Sequence, residues 1–92
     1  MTKGAQQRTF TIQNKRGLHA RAAAKFAATA NNFDCDIEVE RNGQSVAGRS
    51  IMGLMMLAAS TGTDITVICK GDDAEAALDA IQALVADKFE ED

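Results

Sequence analysis

The spacing of apolar residues predicts a strand and then a helix in the first third of the chain. From Arg8 to Gln13 polar and apolar residues alternate, with Phe10 and Ile12 on one side, which is typical of a half-buried strand. Gly17 then turns the chain. From about His19 to Asn31 the sequence is rich in alanine, a strong helix former, and its apolar residues recur at helical spacing. The apolar face of this predicted helix consists of Ala23, Phe26, Ala27 and Ala30.

The central segment predicts a hairpin. Apolar residues alternate with acidic ones from Cys35 to Glu40, and Val46 continues the alternation after Asn42-Gly43. This dipeptide suits the two-residue type I′ turn that joins antiparallel strands. A further strand is predicted from Thr63 to Lys70, where Ile65, Val67 and Cys69 alternate with other residues.

Two more helices are predicted from their start signals. Ser50 precedes the apolar run IMGLMMLAA and suits the N-cap position. The last helix is predicted to begin at Asp72, with Glu75 completing a capping box and Lys88 favourably placed near the negative end of the helix dipole. Its apolar stripe contains Ala74, Leu78, Ile81, Leu84 and Val85.

The predicted element order is β-α-β-β-α-β-α, and it indicates the α+β class. Short connections favour a two-layer open-faced β-sandwich, in which three helices cover one face of a four-stranded antiparallel sheet. The expected strand order is 1-4-2-3. A length of 92 residues predicts a single domain over residues 1–92.

Composition and charge narrow the possible partners. Residues 1–49 carry eight Lys or Arg and four Asp or Glu, whereas residues 50–92 carry two and nine. This asymmetry of charge bears on which partners the protein binds and on how they are steered electrostatically, although a solvated acidic face on the last helix would also account for it. The pI of about 5.0 argues against nucleic acid. The lack of Trp and Tyr does the same, because few aromatic rings are left for bases to stack on, so an RNA-binding sandwich is disfavoured.

The remaining composition predicts no metal, no membrane span and no disulfide. Cys35 and Cys69 lie in alternating segments without a nearby partner and are interpreted as buried small apolar residues. Two Cys and one His at these spacings offer too few ligands for a metal site, and no cofactor is expected. Neither a membrane span nor a secretory signal is recognisable, which favours the cytoplasm.

The start of the first helix carries the candidate chemistry. Residues 15–20 include no conventional N-cap residue, and the first turn contains Arg21 rather than an acidic side chain. Free N–H groups at such a start favour an anion, and the neutral imidazole of His19 is a nucleophile that could carry a phosphoryl group. Arg21 could then bind the phosphate oxygens. Local physics leaves the alternative open that His19 only caps the helix and Arg21 is solvated.

Three segments resemble one known family. GLHARAAAKF, RSIMGLMMLAA and GTDITV are similar to the two signature segments and the following strand of the HPr family of phosphotransferase-system carriers, and the similarity extends over most of Thr9–Val85. The resemblance implies that His19 accepts phosphate at Nδ1 from phosphorylated Enzyme I and donates it to IIA proteins, supported by Arg21. It also implies that Ser50 matches a regulatory serine modified by HPr kinase/phosphorylase. Ala22 replaces the usual proline, so we expect altered site rigidity rather than loss of function.

The helix after Ser50 is predicted to form part of a docking face. It is apolar almost all round, and a short helix on a sheet can bury only one stripe, for which we choose Leu54, Leu57 and Ala58; a wholly buried helix is the alternative. The exposed side would dock partners. The predicted docking residues are Ala20, Lys25, Arg49, Ile51, Met52 and Met55, with Lys15, Arg16 and Arg21 adding to a cationic rim.

The resemblance therefore implies a phosphoryl carrier of the phosphotransferase system that is a substrate of other enzymes rather than an enzyme itself. One branch of the family serves sugar transport and another nitrogen-related regulation, and Ala22 with the Ala-rich helix favours the regulatory branch. A monomer is the default expectation. The competing hypothesis is an α+β interaction or ligand-sensing module without phosphoryl transfer, in which His19 is only a cap.

Overall fold

The computed structural model describes residues 4–91, and the predicted order of strands and helices is confirmed. The elements are β1 (Ala5–Thr11), α1 (Ala20–Ala30), β2 (Asp36–Arg41), β3 (Gln44–Ala47), α2 (Ile51–Met56), β4 (Asp64–Lys70) and α3 (Ala74–Ala86), followed by a 3-10 turn at Lys88–Glu90. Within these residues no helix is long and apolar enough to cross a membrane.

The four strands form one antiparallel sheet in the order β1-β4-β2-β3, as expected. The register places apolar partners side by side, with Phe10 opposite Ile65 and Val39 opposite Val67. These side chains are buried, and their alternation with exposed residues gives the sheet one apolar face. The helices cover that face, and the result is an α+β open-faced sandwich.

The turn between β2 and β3 has the predicted geometry. Asn42 and Gly43 both have positive φ, at 53° and 80°. A type I′ turn requires this at both central positions, because its twist matches that of the flanking strands. The turn therefore fixes the register in which Val39 faces Val46.

The core is filled mainly by aliphatic side chains and two fully buried phenylalanines. Phe26 in α1 and Phe89 in the C-terminal turn are among its largest members. Full burial of a side chain of this size stabilises a fold by about 1.5–3 kcal/mol relative to exposure. The predicted inner faces of α1 and α3 are confirmed, except that Leu84 is only partly buried and that Ala22 and Ala77 are buried in addition.

The start of α3 differs from the prediction. The N-cap is Asp73 rather than Asp72, and the Asp73 side chain makes no capping hydrogen bond. The capping box with Glu75 is therefore wrong. The Asp73 carboxylate instead accepts the backbone N–H of Asp34 at 2.8 Å, so a tertiary contact competes with the local cap.

Two other local predictions are also corrected. Helix α2 ends at Met56, and Ala58 has a φ of 52°, which turns it outward; Ala59 is buried in its place beside Leu54 and Leu57. Lys88 lies beyond the end of α3 and belongs to the C-terminal turn. Helix α2 therefore ends before its apolar run does, and α3 ends before the charged residue that was expected in its last turn.

The two cysteines differ in environment. Cys69 in β4 is buried, as predicted, whereas Cys35 just before β2 is only half-buried. Burial raises the pKa of the Cys69 thiol to about 11, with a further contribution from neighbouring Cys35. Burial likewise raises the pKa of Cys35. Both thiols are therefore protonated near neutral pH.

Candidate functional site

The loop before α1 is fastened to the segment that follows α2. The backbone N–H of Leu18 donates to the Ala59 carbonyl at 2.9 Å, and the Thr61 hydroxyl donates to the carbonyls of Asn14 and Lys15. Leu18 is buried, so the residue after it emerges at the surface as α1 begins. Leu18 and these hydrogen bonds fix the position of His19.

His19 is the N-cap residue of α1, in an extended conformation, and its carbonyl accepts the N–H of Ala23 at 2.8 Å. Its imidazole makes no capping hydrogen bond, and the first turn contains no acidic residue. The predicted helix start is therefore confirmed. The first N–H groups of α1 and the helix dipole favour an anion beside the imidazole.

The ring of His19 has a partner that the sequence did not indicate. Its Nε2 is hydrogen-bonded to Oε2 of Glu91, near the far end of the chain. The other carboxylate oxygen of Glu91 accepts Nδ2–H of Asn14 at 3.1 Å. The hydrogen bonds from Asn14 and then from His19 lower the pKa of Glu91 below its ordinary value. An ionised carboxylate therefore borders the imidazole.

Asn14 is the only buried polar residue recorded within residues 4–91. Its Nδ2 donates to the Gly17 carbonyl at 2.8 Å as well as to Glu91, so one amide group supports both the loop and the tail. Its Oδ1 has no hydrogen-bond partner within the described residues. The sequence does not reveal this role of Asn14, because an Asn beside a turn is usually interpreted as a residue that stabilises the turn itself.

The C-terminal turn holds Glu91 in place. Lys88, Phe89 and Glu90 have φ values of 53°, 56° and 63°, a left-handed stretch that reverses the chain after α3. Phe89 is fully buried, and Lys25 donates from α1 to its carbonyl and to the Glu90 carboxylate, each at 3.1 Å. The backbone of the turn is strained, so its conformation depends on these tertiary contacts.

Arg21 is exposed and makes no ion pair or hydrogen bond with any residue of the described part of the chain. It borders an open cleft together with Lys15, Arg16, Glu90 and Glu91. A guanidinium at the first turn of α1 is able to meet an anion bound there. His19 and Arg21 therefore both lie at the start of α1, although they line different clefts.

Helix α2 presents the predicted apolar patch. Ile51, Met52 and Met55 are 42%, 74% and 43% exposed, and Met56, which is not among the predicted docking residues, is 66% exposed. The alternative of a wholly buried helix is therefore wrong. Helix α2 packs against α1, and the segment following α2 borders His19 through Ala58 and Ser60. The patch, here called the α2 patch (Ile51, Met52, Met55 and Met56), and the exposed residue Ala20 both belong to this α1–α2 layer.

Two predicted docking residues are engaged elsewhere. Lys25 is half-buried and bonded to the C-terminal turn, so it does not offer a free cation. Arg49 donates to the carbonyls of Ala30 and Phe33 at the C-terminal end of α1. That end is about 16 Å from His19 along an 11-residue helix, so Arg49 lies far from the histidine end of the predicted docking face.

Ser50 occupies the predicted N-cap position of α2. Its Oγ accepts the backbone N–H of Gly53 at 3.0 Å, and the residue is half-buried. The described residues contain no group of three or more His, Cys, Asp and Glu able to hold a metal ion. The site is therefore defined by His19, Arg21, Asn14 and Glu91, with Ser50 at a separate helix start.

The fold and the histidine at a helix start define a class of small phosphoryl carriers, and comparison with known proteins agrees. The family described as PTS HPr component phosphorylation site matches residues 6–87, so the chain belongs to the HPr family of the phosphotransferase system. The relatives are named phosphocarrier proteins, and a phosphocarrier is a substrate of other enzymes rather than a catalyst.

Two relatives and one solved structure illustrate the similarity. The phosphocarrier protein HPr of Cupriavidus necator is 49% identical over 85 residues, covering 92% of this chain and 96% of the relative. The phosphocarrier protein NPr of Shewanella violacea is also 49% identical over 85 residues, covering 92% and 93%. The crystal structure of HPr-C-His from Thermoanaerobacter tengcongensis superposes with a TM-score of 0.90 at 42% identity, covering 95% of this chain and 98% of that one.

Proposed function

We propose that His19 is the residue that carries the phosphoryl group, at Nδ1, and that Arg21 stabilises the bound phosphate. The observation that supports this most directly is the juxtaposition at the start of α1. A partly exposed imidazole and an arginine without an ion pair in residues 4–91 flank a helix N-terminus that has no acid in its first turn. Each of the three features favours a dianionic group at the same place.

The chemistry needs no additional catalytic group on this chain. A neutral imidazole nitrogen is nucleophilic near pH 7 without a base to deprotonate it. Once phosphorus is bound, the first N–H groups of α1 and the guanidinium of Arg21 offset the charge of its oxygens. Since these contacts are formed by a fixed helix start, they require little rearrangement during transfer.

The proposed partners are phosphorylated Enzyme I as donor and IIA proteins as acceptors, with the α2 patch and Ala20 as the docking surface. Flexible, polarisable methionine side chains suit a surface that must accept different partners in turn. A carrier must also release each partner rapidly, which favours a small interface. The exposed cations Lys15, Arg16 and Arg21 would steer acidic partners. We further propose that the protein acts in the cytoplasm as a monomer.

Ser50 is proposed as a second, regulatory site for HPr kinase/phosphorylase. A phosphate there would add roughly −1.5 to −2 charges beside the α2 patch. The start of α2 would accept this charge locally, whereas an acidic partner would be repelled. The pathway is proposed to be the nitrogen-related branch; the equal identity to an HPr and an NPr does not separate the branches.

The test is incubation of the purified protein with Enzyme I and phosphoenolpyruvate, followed by intact mass measurement. We expect one acid-labile phosphate on wild type and on Ser50→Ala, and none on His19→Ala. If wild type gains no mass with Enzyme I homologues of both branches, phosphoryl transfer is wrong, and the domain acts as an interaction module.

A further inference from the structure

We propose that Glu91 is a positioning residue for phosphoryl transfer: its carboxylate keeps the proton of His19 on Nε2 and stabilises the positive charge that the ring acquires. Its role rests on the proposed function of His19. Neither the helix start nor Arg21 supplies this effect, because neither contacts Nε2.

The hydrogen bond between His19 and Glu91 determines the tautomer. A neutral imidazole carries one N–H, and an ionised carboxylate can only accept a hydrogen bond. Because Nε2 faces Oε2 of Glu91, Nε2 is the nitrogen that keeps the proton. Nδ1 then retains its lone pair, which is the electron pair that must attack phosphorus.

The carboxylate is held from two sides. Buried Asn14 donates to its Oε1 at 3.1 Å, and Phe89, two residues before Glu91, is anchored in the core. Lys25 fixes the intervening backbone through the Phe89 carbonyl. A left-handed turn with three consecutive positive φ values is conformationally costly. This turn places the Glu91 carboxylate against the imidazole of His19.

The contact leaves the reacting nitrogen open. Nδ1 and Nε2 lie on different edges of the imidazole ring, so a carboxylate on Nε2 does not occupy the position that phosphorus must reach. The Glu91 carboxylate therefore does not occupy the phosphate position, and it does not have to move away before transfer. It can stay in place through uptake and release of the group.

The transfer step balances without a proton acceptor. The Nδ1 lone pair forms the N–P bond while the bond between phosphorus and the donor's leaving atom breaks, and that electron pair goes to the donor. The ring becomes a phosphorylated imidazolium with its proton still on Nε2, and Glu91 offsets the new positive charge. Transfer to an acceptor reverses each of these changes. A fixed carboxylate favours the charged ring over the neutral one and so lowers the barrier to phosphoryl uptake.

The experiment compares Glu91→Gln with Glu90→Gln. Both remove one carboxylate from the same turn, but Glu90 contacts Lys25 rather than His19. Phosphoryl uptake from phosphorylated Enzyme I is measured by rapid quench over a range of donor concentrations. We expect Glu91→Gln to lower the maximal rate roughly 10-fold with little change in the donor concentration at half-maximal rate, because a charge-assisted contact is lost without loss of docking. Glu90→Gln should behave as wild type.

A second readout separates positioning from folding. His19 is the single histidine of the chain, so its ring nitrogens are assigned unambiguously by long-range ¹⁵N–¹H NMR. In wild type we expect the Nε2–H tautomer with a downfield, slowly exchanging N–H proton, and in Glu91→Gln an upfield shift of that proton. A purely structural role would change thermal stability without changing this resonance.

The outcomes distinguish this role from the proposed function. Transfer by Glu91→Gln at the wild-type rate, or an Nδ1–H tautomer in wild type, overturns the role of Glu91 while His19 remains the acceptor. Equal slowing by both variants overturns it as well. If wild type takes up no phosphate at all, the function proposed for His19 fails, and the role of Glu91 fails with it.

Discussion

Gly17 lies directly against the backbone of Ala59. A Cβ atom at Gly17 would lie 2.2 Å from the Ala59 carbonyl oxygen, and Gly17 has a φ of 65°. Only glycine combines this conformation with so close an approach. The contact joins the loop before His19 to the segment after α2, so Gly17 contributes, together with the hydrogen bonds of Leu18 and Thr61, to the placement of the candidate site.

Replacement of Gly17 by Ala is expected to destabilise the protein by about 2–4 kcal/mol, because backbone strain and a backbone clash act together. Urea denaturation gives the free energy of unfolding. Gly62→Ala is the matched control, since Gly62 has a φ of 87° but no atom within 4 Å of its Cβ position. It should lose only about 1–2 kcal/mol. Equal losses in the two variants would show that the contact with Ala59 does not matter.

The α2 patch is expected to control docking rather than chemistry. Met52→Glu places a charge at the most exposed position of the patch and should raise the Enzyme I concentration needed for half-maximal phosphorylation roughly 10-fold, with the maximal rate little changed. Ala76→Glu, at an exposed position of α3, is the control. Steady-state phosphorylation of both variants checks this, and identical kinetics would remove α2 from the docking surface.

Glu91 is expected to contribute to the acid dependence of stability. Hydrogen bonds from Asn14 and His19 hold its pKa below the ordinary value of 4.5. Since the folded pKa is the lower one, the unfolded state binds more protons between the two values. The contribution is therefore present above about pH 4.5 and is lost as the pH falls through the folded pKa. Urea denaturation from pH 3 to pH 7 should show that wild type and Glu91→Gln converge at the acidic end; a constant difference contradicts the linkage.

The two thiols should differ in reactivity. Cys35 is half-buried and should react with a disulfide reagent first, although slowly, because burial raises its pKa. Cys69, with a pKa of about 11 and a buried side chain, should react only when the protein opens. Mass spectrometry of timed samples follows both. Cys35→Ser should abolish the earlier modification, and equally rapid labelling of Cys69 would contradict its burial in the native state.

The cation of Lys25 is expected to matter for the C-terminal turn rather than for partners. Lys25→Met keeps the aliphatic stem but removes the donor to Phe89 and Glu90. We expect a loss of stability of about 1 kcal/mol, as for one charge-assisted hydrogen bond at a partly exposed site. The half-maximal Enzyme I concentration should be unchanged. A large increase in that concentration would restore Lys25 to the docking surface.

Local rules were sufficient for the elements and for the centre of the site. Alternation and helical spacing gave the strand and helix order, Asn42-Gly43 gave the turn, and Ser50 gave an N-cap, because each depends on residues within a few positions of one another. The anion-favouring start of α1 was also readable, since His19 and Arg21 are near neighbours in sequence. The phosphoryl chemistry assigned to them came from resemblance to the HPr family.

What the tertiary structure alone decided concerns partners far apart in the sequence. Glu91 meets His19 across 72 positions and Asn14 across 77, and no periodicity can reveal such a contact. The same holds for Asp73, whose carboxylate accepts a hydrogen bond from the backbone N–H of Asp34 instead of capping its own helix. Side chains near a chain end or a helix cap can form hydrogen bonds with either local or distant groups. The packing of the core, here the burial of Phe89, determines which of these groups lies within hydrogen-bonding distance.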